Sequence, residues 1–377
     1  MDWRRNDDSK KKGLQTMKNL KKFTSLMMAM VMSVSCMAFT ASAVEDKQND
    51  ISQATYYPAV NTSNWSKMSR TERVAACQIS SNDAKSFSTE ELLNAVVENP
   101  FMIDVYAFDS YEEGFKHVSE EFPFLKTLTS RKDFGEVLIN AYRNATVPSS
   151  EYDDNLDEDI LTLSFLEILS AQPEMTNHLK NEELASLLEI ADEKYLEKRD
   201  HKDIISGSLD TFYDAIGENH DSAIAVMANA TVRTPKGTSV TVINNSSITD
   251  WSTSEKSALN SQYAKAYPNA CRLRDPSKKY NCHSYAWHST STSNCYWMNN
   301  PSAYMTDGSY TKASTEKVGN KVTWKSSSGE IIHRGIFAIY QGGGPYKACT
   351  SKWGQLGLYN HKLADCPYSG TITQWSR

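Results

Sequence analysis

Several signatures are missing from this 377-residue chain. No pair of cysteines has a zinc spacing such as C-x2-C. The glycine run Gln341-Gly342-Gly343-Gly344-Pro345 has no Lys-Ser/Thr and no helix start behind it, which excludes a phosphate cradle and leaves a hairpin loop. The acidic run from Glu151 to Asp159 lacks the glycine and the terminal Glu of an EF-hand calcium loop, and reads as a solvated loop with an acidic helix start. The apolar run from Leu26 to Met32 is too short for a stable membrane span. Strand-like alternation is absent from 69 to 217. These absences point away from metal and cofactor chemistry, and no nucleic-acid partner is expected.

Lys18, Lys21 and Lys22 precede the apolar run, and Ala41-Ser42-Ala43 follows it. This is the pattern of a signal peptide over 1–43, with Met17 as the effective start, and it implies a secreted or cell-wall-associated protein. Cys36 would leave with the signal. Ser33 stands where a lipidation motif expects Leu. Six cysteines then remain: Cys77, Cys271, Cys282, Cys295, Cys349 and Cys366. Export permits disulfides. If Cys282 is kept as a thiol, five are left, and an odd count excludes full pairing. Two bridges fit within the C-terminal part, with no connectivity fixed by the sequence.

Residues 44–68 are polar and read as a flexible lead-in. From 69 to 217 the pattern is that of an acidic, all-α domain. Ser88-Thr89-Glu90-Glu91 is a capping box, and Leu92, Leu93, Val96 and Val97 form one apolar face ahead of Pro100. Ser110 opens a second helix carrying Phe115, Val118 and Phe122. Further helices are expected around 134–142, 159–169, 182–196 and 203–216. Small polar residues over 218–230 read as a linker. The period then changes: Ser239-Val240-Thr241-Val242-Ile243 is β-branched and alternating, Ser252 starts a helix, and strands are expected at 321–324 and 332–340. Residues 231–377 are thus an α+β domain. Between Cys271 and Arg377 there are 13 Lys/Arg against 5 Asp/Glu. Such a basic module suits anionic cell-wall polymers, or equally docks on the acidic helical domain of its own chain.

The chemistry concentrates in the stretch Tyr280-Asn281-Cys282-His283-Ser284-Tyr285-Ala286-Trp287. A thiol is a useful nucleophile as its thiolate, and a helix start lowers its pKa. His333, heading a hydrophobic strand, is the expected base. His361 is the expected orienting residue, with Asn360 as a substitute. His283 abuts Cys282 and is not expected to face the same way. Trp287, Tyr296, Trp297, Tyr304 and Tyr310 fit a substrate groove or core packing equally well.

Six motifs recur in a group of secreted bacterial proteins. They are Tyr280 to Trp287, Trp297 to Tyr304, Asp307 to Tyr310, Val318 to Val322, His333 to Ile336 and Ser351 to His361. Over 234–368 the chain resembles that group, which in turn resembles the NlpC-type, papain-like cysteine peptidases of peptidoglycan. The resemblance implies a papain-like fold with Cys282 as nucleophile, His333 as base and His361 as orienting residue. It implies a secreted hydrolase, an endopeptidase or amidase, that acts on cell-wall peptide through an acyl-thioester. The alternative is a non-catalytic cell-surface binding or adhesion protein that keeps the papain-like shell.

Overall fold

In a computed structural model the protein is described over residues 56–217, 228–327 and 329–377. The expected signal peptide lies outside these residues, as does most of the expected linker. Helices come first and an antiparallel sheet region follows, an α+β arrangement. No described helix is long and apolar enough to cross a membrane.

The capping residues act as their chemistry dictates. Ser88 and Glu91 exchange the two bonds of a capping box at the start of Thr89–Val97, and Ser252 and Glu255 do the same for Thr253–Ala266. Ser110 accepts from the Glu113 N–H to start Tyr111–Glu121. Helices Phe134–Asn144, Leu156–Ala171 and Asn181–Asp200 extend past their expected ends. The helix expected at 203–216 is broken into Lys202–Ile205 and Thr211–Ile216. The break has a cause: the Glu255 carboxylate accepts from the N–H groups of Gly207 (2.8 Å) and Ser208 (2.6 Å), drawing that backbone out of the helical ladder. The lead-in, expected to be flexible, is packed from 56 onward. Tyr57 and Trp65 are buried, and the Trp65 indole donates to the Lys265 carbonyl at 2.6 Å.

Among the described residues ten strands follow: β1 (Ala228–Arg233), β2 (Ser239–Asn244), β3 (Cys271–Arg274), β4 (Tyr296–Trp297), β5 (Thr311–Lys312), β6 (Lys321–Lys325), β7 (Ile331–Ile339), β8 (Lys347–Lys352), β9 (Leu358–Lys362) and β10 (Thr371–Ser376). They form a small sheet β1-β2-β4 and a larger one in the order β3-β9-β8-β7-β6-β10-β5, antiparallel at every pairing. Strand β1 begins inside the expected linker. The glycine run forms the tip of the β7–β8 hairpin, with Gly343 and Gly344 at positive φ. Trp287 and Tyr304 are buried against Val232, Val240, Val242 and Met298, so these aromatics pack a core rather than line a groove.

The two halves share one core. A single apolar cluster runs from Tyr57 through the helices to Tyr267, Trp324, Cys349, Trp353, Tyr359 and Tyr368. Polar ties cross the same junction. The buried Arg73 guanidinium donates to the Ala266 carbonyl at 3.0 Å and pairs with Asp365. The Gln355 N–H donates to the Tyr106 carbonyl at 2.8 Å, and the Tyr368 hydroxyl donates to the Ala107 carbonyl. Docking of the helical half is thus chiefly apolar. Its charged contacts run both ways: Lys278–Asp214 has the expected sense and Arg73–Asp365 the opposite one.

Candidate functional site around Cys282

Asn281 builds the start of the helical run 282–288. Fully buried, it accepts on Oδ1 from the N–H groups of Ser284 (3.1 Å) and Met298 (3.2 Å). Its Nδ2 donates to the Met298 carbonyl (2.9 Å) and to Asp109 Oδ1 (3.0 Å). The run is short and mostly of π geometry, Ser284–His288, so its end offers little of the dipole that a long helix would bring. Tyr280 and Tyr285 seat it on the sheet against Ile336 and Leu358.

Side chains of a strand alternate between faces, and this decides which histidine meets the thiol. On β7, Arg334 and Ile336 point towards the Cys282 run. His333 and Phe337 point the other way, into the core shared with the helical half. There His333 stacks on Tyr368, ring centroids 3.5 Å apart, and lies beside Trp324. His361 is on that face too. Its Nε2 bonds Ser351 Oγ at 2.7 Å and its Nδ1 the Lys362 carbonyl at 2.8 Å. The expected Cys282–His333–His361 relay is therefore not assembled here. Both ring nitrogens of His333 are buried without a hydrogen-bond partner, and those of His361 are engaged elsewhere. Asn360 serves the β7–β8 hairpin, donating to the Ile339 carbonyl and accepting from the Gln341 N–H.

The thiol instead meets the residue that adjacency seemed to exclude. Cys282 Sγ is 3.1 Å from His283 Nδ1. His283 has ordinary helical angles (φ −66°, ψ −48°), so its side chain and that of Cys282 diverge by less than they would on a strand. His283 Nε2 lies 3.2 Å from Asp109 Oδ2, a carboxylate supplied by the turn that precedes Tyr111–Glu121 in the helical half. Arg334 closes the group, with Nη1 2.6 Å from Nδ1 and 2.9 Å from Nε2 of His283. Sequence reasoning missed Asp109 and Arg334. Arg334 was visible as the neighbour of His333 on the opposite strand face, whereas nothing in the chain marked Asp109.

The electrostatics follow from burial. Cys282 is 4% exposed. Desolvation, then Asp109, push its thiol up, and Arg334 acts in the other direction. The helix start thus does not lower this thiol, contrary to the expectation. Burial and then Arg334 push His283 down, opposed by Asp109. Burial pushes the Arg334 guanidinium down to about 10. His333 lies well below its ordinary value through burial and then the neighbouring His361. Burial takes His361 down to about 4.

Two groups of described side chains have metal-ligand chemistry, Asp109/Cys282/His283 and Asp104/His117/Glu121. In each an arginine takes the cationic position: Arg334 against both nitrogens of His283, and Arg70 bonding both Glu121 oxygens at 2.7 Å. All six described cysteines are free, so the bridges allowed by export are not formed. A groove of about 860 Å³ is lined by Thr253, Lys256, Asn260, Arg272 and Asp275, and none of the residues around Cys282 takes part in it.

The arrangement at Cys282 is a thiol, an imidazole and a carboxylate in line, with a guanidinium at the imidazole. Comparison of the chain with protein-family models, curated proteins and solved structures gave no match.

Proposed function

We propose that the protein is a cysteine hydrolase of cell-wall peptide, with Cys282 as nucleophile and His283, rather than His333, as its base. The observation that carries this is the thiol 3.1 Å from an imidazole whose other nitrogen lies 3.2 Å from Asp109. A carboxylate on Nε2 favours the tautomer with the proton there, which leaves Nδ1 to accept the thiol proton. The thiolate attacks the acyl carbonyl. The C–N bond breaks, and the amine leaves with the proton that His283 carries. Water, deprotonated by the same imidazole, then cleaves the acyl-thioester and restores the thiol. The papain-like resemblance supports the reaction class, and the N-terminal basic–apolar pattern supports export to the wall.

The test is incubation with defined peptidoglycan peptides and mass spectrometry of the products, beside labelling with a thiolate-directed probe. Wild type turns over the peptides and labels, Cys282→Ala does neither, and His283→Ala loses turnover while His333→Ala keeps it. Equal labelling of wild type and Cys282→Ala refutes the reading.

A second reading, a non-catalytic cell-surface binding protein, is favoured by one observation. Cys282 is 4% exposed and its thiol is pushed up, so the thiolate is scarce at rest. Wall retention unchanged in Cys282→Ala, with no turnover by wild type, supports it.

A further inference from the structure

Arg334 is a buried cation whose partners do not match it. It is 4% exposed, and among the described residues no carboxylate lies within ion-pair distance of it. Its Nε is buried with no hydrogen-bond partner. Its Nη1 rests on His283, whose Nδ1 is also the nitrogen facing the Cys282 thiol. One lone pair cannot serve both donors. The groups that favour its charge are Cys282 and then Asp109, and Asp109 is spent on His283 and on the Asn281 amide. A guanidinium taken out of water wants a carboxylate or another anion in its fork. The group is not deep: the Asp109 side chain beside it is 29% exposed.

We propose that Arg334 is the anion-receiving residue of the Cys282 site, and that the substrate presents a carboxylate next to the acyl group that Cys282 attacks. This rests on the hydrolase reading given above. At rest Arg334 covers the base. A substrate carboxylate draws the guanidinium off His283 Nδ1 and frees that lone pair for the thiol proton. Acidic peptides are then both bound and required, and neutral ones leave the base masked.

The experiment uses two alkylating reagents of nearly equal size on the full chain, neutral iodoacetamide and anionic iodoacetate. Modification of Cys282 is followed by peptide mass mapping. With Arg334 as anion receiver, wild type reacts with iodoacetate at least as fast as with iodoacetamide. Arg334→Gln shifts the rate ratio about tenfold towards iodoacetamide. Arg334→Lys, which keeps the charge, retains most of the wild-type ratio and guards against a mere folding defect. Wild type and Arg334→Gln sharing one ratio would overturn the proposal, as would failure of either reagent to reach Cys282 in the folded protein. The two readings fail separately. An iodoacetate preference without peptide turnover leaves the anion site standing and removes the hydrolase. Turnover of neutral and acidic peptides alike, with unchanged ratios, does the reverse.

Discussion

Gly354 joins the two halves where nothing larger fits, and replacing it measures that junction. Its φ is +46°, and a Cβ there would lie 2.6 Å from the Ala107 carbonyl carbon and in collision with the Tyr106 carbonyl oxygen. Both contacts are backbone, so no side chain can swing aside. Gly343 is the matching control, with φ +84° and nothing within 4 Å of the same hypothetical atom. Alanine at positive φ costs about 1 kcal/mol at either site. The forced backbone shift at Gly354 adds about 1–3 kcal/mol. Gly354→Ala should therefore lose about 2–4 kcal/mol in urea unfolding, against about 1 kcal/mol for Gly343→Ala. The Gln355 N–H to Tyr106 carbonyl bond is adjacent. Its amide should accordingly exchange with deuterium faster in Gly354→Ala alone. Equal losses for the two variants would refute the reasoning, because the difference isolates the contact from the strain.

Other outcomes follow from buried charge. Lys198 and Glu167 are each 1% exposed and bonded at 2.7 Å, so Lys198→Met alone should cost about 3–5 kcal/mol in urea unfolding. The double variant Lys198→Met/Glu167→Leu should recover most of that loss, since no buried charge is left without a partner. His361, at about 4 when folded, binds its proton more weakly than in the unfolded chain. Its contribution is complete above pH 6.5 and is lost as pH falls towards 4, at about 1.4 kcal/mol per pH unit. His361→Gln should make the acid limb of the stability curve shallower by one proton, read from urea midpoints between pH 4 and pH 7.

Local chemistry was legible in the chain, and cross-chain geometry was not. Ser88 with Glu91 and Ser252 with Glu255 marked helix starts because capping is settled within four residues. The β-branched run at 239–243 marked β2 for the same kind of reason. The break at Gly207 escaped because its cause, Glu255, arrives from a distant helix. The site failed in a similar way. Cys282 stood out by residue type, but whether His333 or Arg334 faces it depends on which face of β7 receives the helical run. Asp109 reaches His283 across the junction between the halves, and only the assembled core brings it there. Neighbours on a helix point about 100° apart, which is why His283 was not expected to face the thiol. The two side chains nevertheless bring Cys282 Sγ and His283 Nδ1 to 3.1 Å.

The shared core has a consequence for taking the protein apart. The sequence suggests a cut near 218–230. Yet a fragment beginning at 231 would expose the faces of Tyr267 and Trp251 that Phe101 and Tyr106 cover. It would also leave His283 without Asp109. Severed between Gly217 and Ala228, the two pieces should instead remain one particle, held by apolar contact. Co-expressed as separate polypeptides, they should find each other and rebuild the thiol site that neither carries whole.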